Sequence, residues 1–476
     1  MENNIPSEEF KTCDGEITVE ECTKTIANMK LNKSPGLDGI TLEFYRAFWG
    51  KLKSILVNVL NKGGKERLLS YSQRTSVLSL IFKKNDPTNL DNYRPISLLN
   101  VDLKILSYVL AQRLKCVLPK LVNEDQTGYI KKRFIGFNLR LIEDIIDYAD
   151  KYGINGAIIF VDFTKAFDSL EWAFMINVLK HYGFNESFIS WVETLYNEIQ
   201  TCIINNGWIS NVFKNTRGIR QGCPLSALLF VLSVEIMALR IRSSKDIKGI
   251  KVTLDKKSHC IKISQLADDT TLFCSSIDDI SRSMNEIEIF GSFSGLKLNR
   301  NKTEGIWIGK LKKCKDKIED IKWTDEPNKA LGVYFGHNKD KCERLNWEPK
   351  IEKMKNLLKS WEKRKLTMVG KILIIKSLVL PIFTFCATAI CIPNKYIKEI
   401  ERCCFRFIWG GKNDKVKRNT VIGKYEDGGL NMIDFDSYFK SLRASWVSRL
   451  LTPDEAKWKI SRNVWNKLIN FSHEFR

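Results

Sequence analysis

Histidine is scarce in this sequence, and cysteine is not clustered. Four histidines occur among 476 residues, and the 13 cysteines are scattered singly except for the adjacent Cys403 and Cys404 and the nearby Cys386 and Cys391. No histidine stands at a zinc-ligand interval from two cysteines, so the sequence predicts no zinc site. Scattered cysteines are typical of a reducing compartment. Because residues 1–10 are polar and acidic, unlike a signal peptide, we expect an intracellular protein, nuclear or cytoplasmic.

Long uncharged runs are also rare, and one of them is long enough to be compared with a membrane-spanning helix. The stretch from Ser377 to Asn394 carries no charge and is long enough for a bilayer helix. However, Pro381 and Pro393 interrupt it, and lysines flank both ends without asymmetry. We interpret this stretch as a buried helix pair and expect no membrane partner.

Acidic side chains are outnumbered, which leaves a strong positive charge. The chain has 76 lysines and arginines against 55 aspartates and glutamates, a net charge of +21. Such a charge repels itself in a compact protein unless a polyanion shares it, so nucleic acid is the expected partner. The alternative is a soluble basic protein without that partner. The length exceeds what one hydrophobic core supports, so several lobes are expected, and the oligomeric state is left open.

Helical and strand patterns alternate along the chain. Residues 1–60 are helical apart from a turn at 33–39, and Thr18 is a candidate helix cap. Helical patterns recur at 105–121, 139–152, 172–182, 188–200, 224–242 and 345–476, while strand patterns occur at 76–82, 157–161, 259–265 and 270–274. This order predicts an α+β fold in which a small antiparallel sheet packs on helices.

Aspartates stand at the ends of predicted strands. Asp162 ends the apolar run Ile158–Val161, and Asp268 and Asp269 lie between the apolar strands that precede and follow them. Carboxylates held close together raise each other's pKa, and a divalent cation removes that penalty. Two Mg²⁺ ions can activate a 3′-hydroxyl and stabilise a departing pyrophosphate. An isolated Asp-Asp pair is more often a solvated turn, so the surrounding residues decide between these readings.

Seven blocks around these aspartates resemble the motifs of reverse transcriptases, in the same order. They span about residues 30–340 and resemble most specifically the non-LTR, long-interspersed-element type of retrotransposon. The blocks are Asn92–Leu98, Gln126–Tyr129, Phe160–Asp168, Arg217–Phe230, Ala267–Asp269, Gly295–Thr303 and Leu331–Val333, and the flanking segments Lys33–Gly39, Trp409–Gly411 and Gly428–Leu430 also match.

The resemblance implies a right-hand polymerase with fingers, palm and helical thumb. We expect an N-terminal helical extension at 1–72, fingers and palm at 73–337, a thumb at 338–400 and a basic helical segment at 401–476. The implied activity is RNA-directed DNA synthesis by two-metal nucleotidyl transfer, with two Mg²⁺ ions, or Mn²⁺ as substitute, held by Asp162, Asp268 and Asp269. Template RNA, primer DNA and deoxynucleoside triphosphates are the implied partners.

Five further residues are expected at the nucleotide. Arg94 is suited to clamp the triphosphate, because guanidinium matches phosphate bidentately. The ring of Phe167 would exclude a ribose 2′-hydroxyl, with a core phenylalanine as the alternative. Gln221 and Gly222 should touch the nascent base pair, since glycine permits close backbone approach. Lys302 would assist pyrophosphate departure or be a surface lysine.

Basic residues elsewhere are expected to bind nucleic acid. Lys83 and Lys84 lie on the loop before Arg94, where a solvated turn is the alternative. Arg133 belongs to a fingers loop, in which Lys132 stands where relatives usually have glycine. Asp168 is expected to cap the helix after it rather than bind metal. The thumb candidates, which would contact the duplex backbone or form a solvated helix face, are Lys359, Lys363, Arg364 and Lys365.

The sequence leaves three other functions open. The chain could be an inactive or domesticated RNA-binding remnant, although all three aspartates are present. It could be an RNA-dependent RNA polymerase, which accepts the 2′-hydroxyl, or an intron-maturase type of reverse transcriptase. No endonuclease or Cys-His knuckle is visible, so we expect a polymerase fragment of an element.

Overall fold

The computed structural model describes residues 7–254, 257–314, 316 and 318–451 of the chain. The strands are β1 (Thr75–Phe82), β2 (Tyr93–Leu98), β3 (Gly156–Val161), β4 (Phe163–Thr164), β5 (Gln200–Asn205), β6 (Trp208–Ile209), β7 (Phe213–Lys214), β8 (Ile250–Leu254), β9 (Lys257–Ile261), β10 (Ile263–Leu266), β11 (Asp269–Cys274), β12 (Lys297–Leu298), β13 (Glu304–Ile308), β14 (Lys322–Trp323), β15 (Asn328–Ala330) and β16 (Val333–Phe335). The predicted mixture of helices and a small antiparallel sheet is confirmed.

The helices surround these strands. They are α1 (Ser7–Phe10), α2 (Val19–Asn28), α3 (Leu42–Glu66), α4 (Tyr71–Arg74), α5 (Val101–Leu121), α6 (Gly136–Tyr152), α7 (Ala166–Ser169), α8 (Trp172–His181), α9 (Glu186–Tyr196), α10 (Ser226–Ser243), α11 (Ile277–Ser294), α12 (Lys339–Glu362), α13 (Met368–Ile374), α14 (Leu380–Ala389), α15 (Asn394–Ile408), α16 (Arg418–Ile422) and α17 (Phe435–Leu451). The expected cap on α2 is present, because Thr18 and Glu21 exchange the two hydrogen bonds of a capping box.

The central sheet has the strand order β10-β11-β3-β13-β14. Its first four strands are antiparallel, and β14 joins in parallel. Successive side chains of a strand point to opposite faces of the sheet, so β3 contributes side chains to two hydrophobic cores. Ile159 packs into the core formed with α5, α8, α9, α10 and α11, whereas Ile158 packs into the core formed with α6 and the C-terminal helices. The sheet is therefore covered on both faces, and its strand ends carry the polar groups.

A second sheet, with the path β2-β1-β5-β6, stands beside the central one. Strands β1 and β2 are antiparallel, with Ile81 opposite Arg94, while β1 and β5 are parallel. The second sheet joins the central part of the chain through Ser97, whose backbone N–H donates to the carbonyl of Gln221 at 2.7 Å. It therefore projects Arg94 and the preceding loop toward the ends of β3 and β11.

The C-terminal helices α12 to α17 pack against α6 and the central sheet. The uncharged stretch was predicted as a helix pair, and this prediction was wrong. A single continuous helix runs from Met368 to Ala389, with a π-helical turn at Ile375–Val379 between α13 and α14. Within the described residues, this is one helix long and apolar enough to cross a membrane, by length and composition only, and 44% of its apolar window is buried in the fold.

Candidate active site

The sheet register brings the three aspartates to one place. Asp162 directly follows β3, and Asp269 begins β11. Val161 pairs with Thr270, so one step further the antiparallel register sets Asp162 beside Asp269. Asp268 occupies the two-residue turn that joins β10 to β11. The predicted constellation of carboxylates is thus produced by two neighbouring strands and one hairpin.

The backbone at Asp162 is held independently of its carboxylate. The Asp162 N–H donates to the hydroxyl of Thr303 at 3.2 Å, and the Asp162 carbonyl accepts from the Asn299 N–H at 2.8 Å. Both partners come from the loop between β12 and β13. Substituting the Asp162 side chain should therefore leave its position in the sheet unchanged.

Burial raises the pKa of all three carboxylates, and neighbouring carboxylates add to the rise at Asp268 and Asp269. Burial raises the pKa of Asp162, and Lys302 and Asn299 oppose that rise. Burial and the charge of Asp162 raise the pKa of Asp268. Burial, followed by the charges of Asp268 and Asp162, raises the pKa of Asp269 to about 6. Such a set of oxygen donors suits a hard divalent cation, whose charge would offset the repulsion.

The carboxylates alone do not form a closed metal cage. Within the described part of the chain, no group of three acidic, histidine or cysteine side chains converges closely enough to hold an ion by itself. Mg²⁺ in phosphoryl-transfer sites commonly takes one or two carboxylates and completes its octahedron with substrate phosphates and water. The residues present therefore fit ions that share their ligands with a triphosphate.

A cleft of about 980 Å³ opens in front of the aspartates. Its volume is sufficient for a nucleotide, and its walls are both polar and apolar. Its lining includes all three aspartates together with six predicted residues, namely Lys83, Arg94, Phe167, Gln221, Gly222 and Lys302. Lys84 is exposed in the same turn as Lys83 but is not among the lining residues.

The floor of this cleft is built by the segments around Phe167 and Gly222. The ring of Phe167 stacks on Phe230 of α10 with 4.4 Å between centroids, and its carbonyl accepts from the Ile219 N–H at 2.7 Å. Gly222 has φ +125°, and a Cβ there would lie 2.5 Å from the Ser97 carbonyl oxygen. Glycine is therefore required where the loop before α10 passes β2.

Two sequence-based assignments are corrected by the structure. Asp168 lies inside α7 and does not cap the next helix, which follows Glu171; its carboxylate accepts from the Gln221 side chain at 3.3 Å. Arg133 is not available to nucleic acid, because its guanidinium donates to main-chain carbonyls of Pro119, Val122, Asn123 and Gln126. It ties the end of α5 to the following loop.

The predicted thumb cations lie on one exposed segment. Lys359 is on the last turn of α12, and residues 363–365 follow the helix end with exposed side chains. Arg364 stacks over Trp361 with 4.3 Å from Cζ to the ring centroid. The segment thus presents positive charge to solvent at the end of a rigid helix, as a contact for a phosphate backbone requires.

Three residues at the site received no role from the sequence. Tyr129, with φ +59°, and Asn299 both line the cleft. Gln126 is fully buried beside the Asp268 turn. The Gln126–Tyr129 block could be found by its motif, but its function depends on contacts with residues about 140 positions away.

The comparisons with known proteins agree with this geometry. A family model described as reverse transcriptase (RNA-dependent DNA polymerase) matches residues 81–335. The Transposon TX1 uncharacterized 149 kDa protein of Xenopus laevis is 30% identical over 465 residues, which cover 96% of this chain and 35% of that protein. The Pol polyprotein from type-2 retrotransposable element R2DM of Drosophila melanogaster is 29% identical over 324 residues, covering 65% of this chain and 29% of that protein. The chain thus spans about a third of the length of these relatives.

A similar solved structure is that of apo telomerase from Candida tropicalis, truncated from its C-terminal domain. It aligns with 64% of this chain and 61% of that chain, at a TM-score of 0.40 and 13% sequence identity.

The fold and the carboxylate site define a right-hand polymerase. The chain belongs to the reverse transcriptase (RNA-dependent DNA polymerase) family, and its relatives include proteins of retrotransposable elements.

Proposed function

We propose that this chain is the RNA-directed DNA polymerase of a non-LTR retrotransposon, extending a DNA primer on an RNA template. The observation that carries the proposal is the register of β3 and β11, which sets Asp162 beside Asp269 at the mouth of a nucleotide-sized cleft. Bound Mg²⁺, two ions in this proposal with Mn²⁺ as a substitute, would lower the pKa of the primer 3′-hydroxyl and neutralise the departing pyrophosphate.

The chain's own residues position the reactants. Asp162, Asp268 and Asp269 would hold the ions. We assign the second sheet to the fingers and the central sheet to the palm. The positive charge of Lys83 lowers the pKa of Asp162 and Asp268, and that of Arg94 lowers the pKa of Asp268. Both cations would bind the triphosphate between fingers and palm. Lys302, on the palm side, would balance charge on the pyrophosphate. Phe167 lies on the floor between them, where it would meet the sugar of the incoming nucleotide.

The cations of the proposed thumb and the net charge support the binding of a primer–template duplex. Lys359, Lys363, Arg364 and Lys365 would contact phosphates without reading sequence. The net charge of +21 supports a polyanionic partner, and the proposed site of action is nuclear or cytoplasmic. Affinity for primer–template should fall steeply with salt, since each neutralised phosphate releases counterions.

A primer-extension assay on primed RNA tests the proposal. The purified chain should add deoxynucleotides in the presence of Mg²⁺ and stop when EDTA is added. An RNA-binding remnant predicts binding without extension, and an RNA-dependent RNA polymerase predicts equal use of ribonucleotides. A maturase-type enzyme predicts high-affinity binding to one structured intron RNA. Absence of any Mg²⁺-dependent product would overturn the proposal.

Replacing Arg94 should weaken nucleotide binding more than chemistry. We expect Arg94→Ala to raise KM for deoxynucleotides about ten- to a hundredfold, the equivalent of losing a charge-assisted hydrogen-bond pair. Steady-state incorporation at varied nucleotide concentration measures it. Lys84→Ala is the matched control, because Lys84 follows β1 in the same hairpin and is not among the residues lining the cleft. Equal KM changes in both variants would contradict the role of Arg94.

In the metal-free protein, Asp269 should contribute stability at pH 5 that it does not contribute at pH 7.5. Its pKa is raised to about 6 in the fold, so the folded state binds this proton more tightly than the unfolded chain does. The resulting stabilisation is present at low pH and is lost as pH rises through about 6. Thermal unfolding in EDTA should therefore show a steeper fall of Tm with pH for the wild type than for Asp269→Asn.

Mg²⁺ should reverse this trend, because the ion replaces the proton. The rise in Tm on adding Mg²⁺ should be larger at pH 7.5 than at pH 5, since metal ligands must be deprotonated. Identical pH slopes for the wild type and Asp269→Asn in EDTA would show that Asp269 is not under repulsion in the fold.

A further inference from the structure

A loop from Asn123 to Arg133, which we call the brace loop, runs alongside β10 just before the Asp268 turn. The Gln265 N–H donates to the Asp125 carbonyl at 2.7 Å, and the Thr127 N–H donates to the Gln265 carbonyl at 2.9 Å. Gln126 and Gln265 thus form an isolated parallel bridge at the edge of the central sheet. The brace loop extends the sheet at the point from which the catalytic turn departs.

The side chain of Gln126 reaches from this loop into the turn. Its Oε1 accepts from the Ala267 N–H at 2.8 Å, and its Nε2 donates to the Ala267 carbonyl at 3.3 Å. Oε1 also accepts from the Gly128 N–H at 2.8 Å. A single fully buried carboxamide therefore satisfies both main-chain polar groups of the residue that precedes Asp268.

Ala267 needs such support because its conformation is unfavourable. It has φ +54°, in the left-handed region that glycine normally occupies at the first central position of a two-residue hairpin turn. An L-residue held there is strained, and the conformation persists only where its surroundings enforce it. Ala267 is also buried, so an unpaired N–H or C=O at this position would add a desolvation penalty.

The brace loop is itself held rigidly. Arg133 donates to the Gln126 carbonyl at 2.7 Å, and the Asp125 carboxylate pairs with Arg242 at 2.9 Å. Gly128 approaches so closely that a Cβ there would lie 2.5 Å from the Ala267 nitrogen. The contact between loop and turn is therefore fixed on both sides, by α10 behind the loop and by the palm sheet in front.

We propose that Gln126 is a positioning residue that locks the left-handed Ala267 turn and thereby orients Asp268 and Asp269 toward the metal ions. This inference rests on the proposed polymerase function. Gln126 touches neither substrate nor metal in this role; it acts through the main chain of Ala267. Without it, the turn would relax toward a conformation with negative φ, and the two carboxylates would leave the geometry set by β10 and β11.

The test compares Gln126→Ala with Asn61→Ala. Asn61 is a matched control because its carboxamide makes the same pair of bonds, from the Ile17 N–H at 2.8 Å and to the Ile17 carbonyl at 2.9 Å, in the N-terminal extension. Mn²⁺ binding to the full chain, followed by electron paramagnetic resonance of the free ion, gives a readout that needs no activity. The Mg²⁺ concentration for half-maximal primer extension gives the second.

We expect Gln126→Ala to weaken Mn²⁺ binding and to raise the Mg²⁺ midpoint about tenfold, as loss of a group that orients metal ligands does. The dissociation constant for primer–template should stay within about twofold of the wild type. Asn61→Ala should lower thermal stability without changing either metal constant. Unchanged metal constants in a folded Gln126→Ala protein would overturn the proposal.

A second variant keeps the test decisive if Gln126→Ala does not fold. Gln126→Glu retains the acceptor for Ala267 and Gly128 but cannot donate to the Ala267 carbonyl when ionised. It should give an intermediate metal midpoint, and wild-type metal constants in this variant would count against the proposal. If the wild type makes no product, the proposed function fails, while the Mn²⁺ comparison still decides whether Gln126 orients the carboxylates.

Discussion

Replacing Asp162 with asparagine is expected to reduce primer extension at least about a thousandfold, because it removes negative charge where the metal ions must bind. Asparagine has nearly the same size, and the main chain at this position is held by Thr303 and Asn299 rather than by the carboxylate. Removing one of three mutually repelling charges also means that the metal-free fold should not be destabilised. Single-nucleotide incorporation under single-turnover conditions measures the loss, and thermal unfolding checks the fold.

Asp168→Asn is the matched control for this substitution. Asp168 lines the same cleft, and its pKa is likewise raised by burial, but it receives a hydrogen bond from Gln221 and lies in α7 rather than at the end of β3. An asparagine oxygen can accept the same bond, so the rate should fall less than about tenfold. Similar losses in the two variants would show that general charge in the cleft, rather than a metal site at Asp162, supports the activity.

Much of the central sheet and its carboxylate site could be predicted, because the aspartates stand at the ends of strands with a recognisable pattern. Apolar runs ending in Asp162 and flanking Asp268 predict strands that present carboxylates, and the observed β3 and β11 have these bounds within a residue or two. Alternation along a strand is a local property, so a single sequence reveals it. The capping box at Thr18 is local for the same reason, and both of its hydrogen bonds are present.

Two side chains whose roles were missed bond to main-chain groups that the sequence pattern does not indicate. Gln126 bonds to Ala267, 141 positions away, whereas Arg133 donates to carbonyls at the end of α5 and in the loop after it, 7 to 14 positions away. Nothing in the pattern around either residue distinguishes a main-chain clamp from a nucleic-acid contact. The assignment of Arg133 to the interface therefore failed because a guanidinium suits carbonyl and phosphate oxygens alike.

The helix from Met368 to Ala389 illustrates a third kind of error. Pro381 lies inside an apolar helical pattern, and proline ordinarily ends or kinks a helix. Here the π-helical turn at Ile375–Val379 comes directly before it, and Pro381 takes the second position of α14. A wider turn changes the hydrogen-bond spacing locally, so the helix continues past the proline. The two-helix expectation was reasonable from composition, but the backbone adjustment that avoids a break has no sequence signal.

Replacing Phe167 with alanine is expected to reduce the preference for deoxy- over ribonucleotides about ten- to a hundredfold, the range that one shape-based pocket contact supplies. The ring is supported from behind by Phe230 at 4.4 Å between centroids, so it cannot retreat from a 2′-hydroxyl without disturbing buried α10. The ratio of kcat/KM for a deoxynucleotide to that for its ribonucleotide measures the effect. Phe167→Tyr retains the ring and should keep the ratio within a few-fold.

The same measurement separates the two polymerase readings of this site. In a reverse transcriptase, the wild-type ratio of kcat/KM for deoxynucleotide to kcat/KM for ribonucleotide is high. Phe167→Ala should lower this ratio chiefly by raising kcat/KM for the ribonucleotide. In an RNA-dependent RNA polymerase, this ratio would be near unity in the wild type, so Phe167→Ala would not change it. If the wild-type ratio is high and the alanine variant keeps it, Phe167 is a core side chain packed on Phe230, and discrimination must come from another wall of the cleft. Because Gln221 also lines the cleft, it would be the next residue to substitute.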